Sequence, residues 1–398
     1  MNQANQTGQT KGRWRLEPRL TPNRWVVGLV SLGSVVAALV VTGVIFAAYG
    51  FNPLQAYRDI LGAIFADWRG AAEVVRRAIP LLLAGVGILL ALKARFWNIG
   101  AEGQILAGAV AASGVALFVP VPAPLMIPTL FIVGFLGGAL WSFVPAILKV
   151  KLGVNEIITT LMMNYVALYM VQWLINGPWK GLTTRGFARS DPFPSVAELP
   201  TWGATRLHWP TLVLGLLFAI GVAFLLSRTK LGFEIRMMGE SPEAARYAGV
   251  DFFRTTLLLM LIAGGAAGLA GVGEVAGIHH RLVGPDDISL GYGYTAIIVA
   301  LLARGSALAA ILTALFLGLV FASGDVMRVV LRLPAQMTDV ISGLVLFFVI
   351  CSEPLMRYTL RWVPKQESGQ GANDGVNDRV GSSPPPPPTV SEPVSEGD

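Results

Sequence analysis

Long apolar runs alternate with short polar breaks along this chain, and the runs set the architecture. Val26 to Ala48 and Leu212 to Leu226 contain no Asp, Glu, Lys or Arg. Apolar stretches near 26–50, 79–92, 103–119, 125–147, 155–176, 210–227, 255–278, 289–304, 306–323 and 338–356 make about ten candidate crossings. A helix needs about 20 apolar residues to cross hydrocarbon. Lipid offers no partner to an exposed N–H or C=O, so uninterrupted runs without strand-like alternation must be helices. The expected fold is an all-α integral membrane protein, a polytopic helical bundle. Two runs are weaker: 79–92 is short, and 289–304 carries Gly291, Gly293 and two tyrosines, which suits a broken or re-entrant helix. Segment 53–77 mixes apolar residues with Arg58, Asp59, Asp67, Arg69, Glu73, Arg76 and Arg77, and reads as a helix lying along the membrane surface.

Charge orients the bundle. Lys11, Arg13, Arg15, Arg19 and Arg24, then Lys93, Arg95, Lys149, Lys151 and the basic residues of 228–254, fall in alternate loops. The positive-inside rule then places both termini in the cytosol, with 177–209 external and 228–254 cytosolic. Residues 1–24 form a basic cytosolic tail, 25–364 the transmembrane domain, and 365–398, with prolines from Pro384 to Pro388, a disordered tail. The first apolar run exceeds the roughly 7–15 residues of a secretory signal core and is retained as a helix.

Composition agrees: 54% of the 398 residues are hydrophobic and 14% charged, against about 25% charged in soluble domains. The surrounding solvent is lipid. The net charge of +6 is explained by topology and not by nucleic acid, because Lys and Arg sit between the apolar spans. Cys351 is the only cysteine, which excludes an intramolecular disulfide. His279 and His280 point to different faces with no third ligand nearby, so no metal site is expected. No G-x-x-x-x-G-K-[ST], H-E-x-x-H or G-x-S-x-G motif occurs, so no catalytic residue is assigned. If ATP drives this protein, another subunit must bind it.

Four segments are candidates for function. In 228–254, Ser241 caps, Pro242 opens and Gly249 closes a short helix, with Glu243 in its first turn. Its small face of Ala244, Ala245 and Ala248 suits close approach by a partner, with Arg246 and Glu243 setting orientation; the alternative is a capped loop that binds nothing. In Phe96 to Gly108, Asn98, Glu102 and Gln104 lie at the mouth of a span, either facing substrate or capping the next helix. In 155–176, Glu156, Thr160 and Asn164 recur every four residues along one stripe, where Asn164 either grips a polar solute or bonds to a neighbouring helix. In 255–278, Gly264 and Gly268, Ala267 and Gly271, and Gly273 and Gly277 form a close-packing face. Glu274 near its outer end reads as part of a solvated helix terminus, or as part of a cluster with His279, His280 and Arg281 that meets an external protein.

The segments KARFWNIGAEGQILAGA, VNEIITTLMMNYVALYMVQWLINGPWK and MMGESPEAARYAGV together resemble the branched permease family of bacterial ABC importers, over most of residues 75–356. The likeness is to the nucleoside branch, whose members carry F-N-I-G-x-E-G-Q and N-E-x-I-x-T-x-M-x-N-Y; here Trp97 intrudes before Asn98. The resemblance implies a permease subunit in the bacterial inner membrane with no cofactor of its own. Its partners would be an ATP-binding subunit that uses ATP and Mg²⁺, a second homologous permease, an external substrate-binding lipoprotein and membrane lipid. It also makes Gly239 to Gly249, including Glu240, the coupling helix, and gives Asn98, Glu102, Gln104, Asn155, Glu156, Asn164 and Tyr165 a place on the substrate path. A simple-sugar permease is the alternative. An ion-coupled secondary transporter would need ionisable groups near the bilayer midplane, and Glu102, Glu156 and Glu274 lie near span ends instead.

Overall fold

In the computed structural model the apolar runs become helices, described over residues 13–18, 24–182, 186–334, 337, 339–341, 343, 344, 347, 348, 350–352 and 358–363. The order is β1 (Arg13–Pro18), α1 (Arg24–Ala48), α2 (Pro53–Phe65), α3 (Trp68–Lys93), α4 (Ala101–Phe118), α5 (Ala123–Leu152), α6 (Glu156–Asn176), α7 (Trp209–Arg228), α8 (Lys230–Glu240), α9 (Pro242–Tyr247), α10 (Phe252–Glu274), α11 (Pro285–Ser289), α12 (Tyr292–Leu302), α13 (Ala309–Val330) and β2 (Tyr358–Val363). Among the described residues, seven helices are long and apolar enough to cross a membrane, and an eighth span is possible if the pair Val36–Ala48 and Pro53–Phe65, bent by 109°, counts as one.

The differences from the sequence pattern have physical causes. Segment 53–77 is not one surface helix: Asn52 caps α2, Asp67 caps α3 by accepting from the Gly70 N–H at 3.0 Å, and residues 68–77 are the first turns of α3. The run at 79–92 looked short because Glu73, Arg76 and Arg77 interrupt it, yet these charges pair inside the protein, so the helix begins eleven residues earlier, at Trp68. The run at 289–304 is broken: Leu290 and Gly291, with φ of 45° and 73°, separate α11 from the eleven-residue α12. Part of 338–356 and all of 365–398 lie outside the described residues. In the N-terminal tail, Arg13–Pro18 is a strand, paired antiparallel with Tyr358–Val363 in a unit separate from the helical one.

Two features hold the helical unit together. The first is α3, whose Leu81, Leu83, Val86 and Leu90 are fully buried and which packs on α2, α7, α10, α12 and α13. The second is a three-helix contact of α4, α5 and α10 through glycine. A methyl group at Gly268 would strike the backbone of Gly134 and Gly138, and Gly108 lies against the Gly268 backbone. Such approach maximises dispersion contact where the hydrophobic effect gives no drive to associate. The predicted small face of α10 therefore meets α5 at Gly264 and Gly268 and α4 at Gly271, while Gly273 and Gly277 lie against His208.

The connection 177–209 is tied to the end of α10 by the N–H groups of Ser190, Phe193 and Leu199, which donate to the carbonyls of Leu282, His280 and Ala276 at 2.9, 2.8 and 2.9 Å. His208, at its end, is buried beside Thr211, and burial with the Arg76 charge nearby holds its imidazole down at about 3.

Candidate functional site

The short helix read in 228–254 is present as α9. The Ser241 hydroxyl accepts from the Ala244 N–H at 3.4 Å, Pro242 begins the helix, and Gly249 at φ 74° ends it. Glu240, Glu243, Ala244, Arg246, Tyr247 and Ala248 are exposed. Ala245 is not part of the outward face: it is fully buried and anchors the helix. Immediately before it, α8 lies across the end of α3, where only a glycine at 239 fits against the Lys93 carbonyl. The Thr255 hydroxyl, donating to Glu234 at 3.2 Å, ties α8 to α10. A hollow of about 410 Å³ opens between Arg95, Lys149, Met238, Pro242, Arg246 and Phe252.

Around the starts of α4 and α12, four of the sequence candidates come together. Asn98 and Gln104 exchange amide hydrogen bonds at 3.1 and 3.0 Å, and Asn98 also accepts from the Gly100 N–H at 3.1 Å. Asn164 accepts from the Gly103 N–H at 2.8 Å, donates to the Ile99 carbonyl at 2.9 Å and reaches the Tyr294 hydroxyl at 3.3 Å. Glu102 accepts from the Gly293 N–H at 2.8 Å. These side chains satisfy backbone groups that a helix start and a broken helix leave open, and fasten α4 to α6 and to the α11–α12 break.

The stripe Glu156, Thr160 and Asn164 is buried as its spacing requires. Asn155 caps α6 by accepting from the Ile157 N–H at 2.9 Å, and Glu156 pairs with Lys149 at 2.7 Å. Tyr165 stands apart from this network. It is 50% exposed and forms a row with Tyr169 and Trp173 down the outer face of α6.

At the other end of α3 lies a second cluster that sequence reasoning assigned to surface and solvent. Arg76, 3% exposed, donates to Glu73 at 2.8 Å and faces Glu274 at 3.8 Å. Arg77 pairs with Glu73 at 3.3 Å, donates to the Tyr292 hydroxyl at 2.9 Å and pairs with Asp325. Glu274 is thus no solvated helix end: it is 1% exposed, and its Oε1 has no hydrogen-bond partner among the described residues. The available signal was stoichiometric. An isolated carboxylate in an otherwise apolar run, Glu274, demands a buried cation, and the paired arginines Arg76 and Arg77 at the edge of an apolar run were candidates to supply it.

Over residues 70–350 the chain matches the family described as the permease component of branched-chain amino acid transport systems. It is 37% identical over 354 residues to a glucose ABC transporter permease of Haloferax volcanii, covering 86% of this chain and 92% of that protein. It is 32% identical over 329 residues to a nucleoside ABC transporter permease of Lactococcus lactis, covering 81% and 90%. A guanosine ABC transporter permease of Bacillus subtilis is 30% identical over 351 residues, covering 87% and 98%. No solved structure matches the chain.

Proposed function

This chain belongs to the family of branched-chain transport permeases and is a multi-pass permease component of an ABC transporter, and on that premise we propose that it imports a neutral, sugar-bearing solute, a nucleoside first among them. Its energy comes from a separate ATP-binding subunit that docks on α9. The observation that carries the proposal is the exposed, fully capped α9, joined without slack through Gly239 to the end of the central helix α3. A movement imposed on α9 is delivered to the core of the bundle.

In this reading both termini are cytosolic, and the ten crossings expected from the sequence include α11–α12 as one broken span. The packing of Gly305, just beyond α12, against the Lys93 side chain supports that path. A second, homologous permease covers the exposed row of Tyr165, Tyr169 and Trp173 on α6, and the translocation path runs between the two subunits. An external binding lipoprotein delivers solute to the face formed by 177–209, and the protein resides in the plasma membrane. Because the polar groups of Asn98, Glu102, Gln104 and Asn164 are used within the fold, they shape the path and Tyr165 touches the solute.

Two kinds of relative favour two substrates. The motifs of Phe96 to Gln104 and Asn155 to Tyr165 favour a nucleoside, as do the Lactococcus and Bacillus relatives; the Haloferax relative favours glucose. Uptake of a labelled purine nucleoside in cells lacking only this gene decides. Loss of uptake, restored by the gene and competed by nucleosides but not glucose, supports the proposal; competition by glucose alone transfers the substrate to the hexose reading.

A further inference from the structure

The buried charges at the end of α3 remote from α9 serve no purpose in the coupling site described above. Arg76 and Lys93 are separated by 17 residues of one helix, which spans about 26 Å at 1.5 Å per residue, close to the roughly 30 Å thickness of a bilayer core. One end of α3 therefore touches α8 through Gly239, and Arg76 and Arg77 lie toward its other end, a bilayer-scale distance along the helix.

From there the two arginines fork. Arg76 reaches Glu274 of α10 at 3.8 Å. Arg77 reaches the Tyr292 hydroxyl of α12 at 2.9 Å and Asp325 of α13. Glu73, one turn away, holds both guanidinium groups in place, through Arg76 Nε at 2.8 Å and Arg77 Nε at 3.3 Å. Adjacent residues on a single helix thus make direct polar contact with three other helices.

The surroundings are built to move. Directly after Glu274 the helix widens into a π-turn at Val275–His279, and His280 then adopts φ 51°. Local π geometry of this kind concentrates at functional sites. Tyr292 opens α12 just beyond the left-handed pair Leu290 and Gly291. Asp325 is partly open to solvent, its side chain 40% exposed, so that pair can separate at low desolvation cost. Glu274 keeps one oxygen without a hydrogen-bond partner among the described residues, where a second arrangement could supply a donor.

We propose that Arg76 and Arg77 are positioning residues: α3 is a rod that carries the displacement of α8–α9 along its length, and the two arginines distribute it to α10, α12 and α13. This rests on the importer reading, in which α9 receives the ATP-binding subunit. Hydrophobic side chains would hold these helices together equally well; ion pairs can be exchanged between two arrangements, as buried charges do where they specify register.

The test reconstitutes the chain with its ATP-binding subunit and binding protein in liposomes, and reads solute imported per ATP hydrolysed. The variants are Asp325→Asn, the apolar pair Arg77→Met with Asp325→Leu, and the exchange Arg77→Asp with Asp325→Arg. Asp325→Asn, at a partly exposed position, guards against loss of folding. The expected result is retained ATP hydrolysis with about a tenfold fall in solute per ATP for the first two, and recovery in the exchange variant. An unchanged ratio in the apolar pair, or a fall in uptake and hydrolysis together in proportion to lost folded protein, overturns the proposal and makes the cluster a staple. If the unsubstituted chain fails to bind the ATP-binding subunit, the importer reading fails instead, and the two failures are told apart.

Discussion

Two buried polar clusters adjoin at the start of α12, where Tyr292 meets Arg77 and Gly293 meets Glu102, yet they are built on different principles. The cluster of Asn98, Gln104 and Asn164, with Glu102 beside it, is dominated by neutral amides whose partners are largely backbone N–H and C=O groups at helix starts and breaks. The cluster of Glu73, Arg76, Arg77, Glu274 and Asp325 is ionic, joins side chains from separate helices and leaves an oxygen unmatched. The first repairs the fold where the backbone is broken. The second spends desolvation energy on contacts that packing could have supplied, an arrangement suited to an element that changes partners.

The sharpest way to break this comparison is to strip one charge from the ionic cluster. Arg76→Met leaves Glu274 buried opposite no cation and is expected to destabilise the chain by about 3–5 kcal/mol, whereas adding Glu274→Leu to it should restore most of the loss. Thermal unfolding in detergent reads both; equal stability of the single and double variants would show that the pair carries no electrostatic strain.

Next in size is the amide cluster. Asn164→Leu leaves the Gly103 N–H and the Ile99 carbonyl without their side-chain partner and is expected to cost about 1–3 kcal/mol, with no double variant to rescue it because the lost partners are backbone. A far smaller loss would mean that water replaces the amide and that this cluster lines an aqueous path after all. Tyr165→Ala, on the exposed row, should change stability by less than about 0.5 kcal/mol while lowering uptake; unaffected uptake would remove Tyr165 from the translocation path.

A further effect, set by pH and not by a cluster variant alone, concerns acid. His208 titrates at about 3 in the folded chain and near 6.5 when unfolded, so the unfolded chain takes up the proton first. Its contribution is complete above about pH 6.5 and declines as the pH falls from there towards 3. Melting temperature followed from pH 8 to pH 4 should show this slope, and His208→Asn should flatten it.

What could be read from the sequence was what local chemistry decides. Ser241, Pro242 and Gly249 write a helix within nine residues, and α9 forms where they stand. The glycines of 264–271 announced close packing, and α10 meets α4 and α5 there. Asn164 could be placed on a buried stripe, but whether its amide met a solute or a backbone depended on Ile99 and Gly103, 65 and 61 residues away. Arg77 and Asp325 are 248 residues apart. No periodicity connects such a pair, so the charges that begin α3 looked like a surface helix, and the crossing was drawn too short.

The central claim is that energy enters through the exposed face of α9. The most direct measurement is ATP-driven uptake and co-purification of the ATP-binding subunit for the variant Ala244→Glu with Ala248→Glu, two positions exposed on that face. The account predicts a normally inserted chain from which the ATP-binding subunit is lost and uptake abolished. Undiminished uptake by that variant would contradict it.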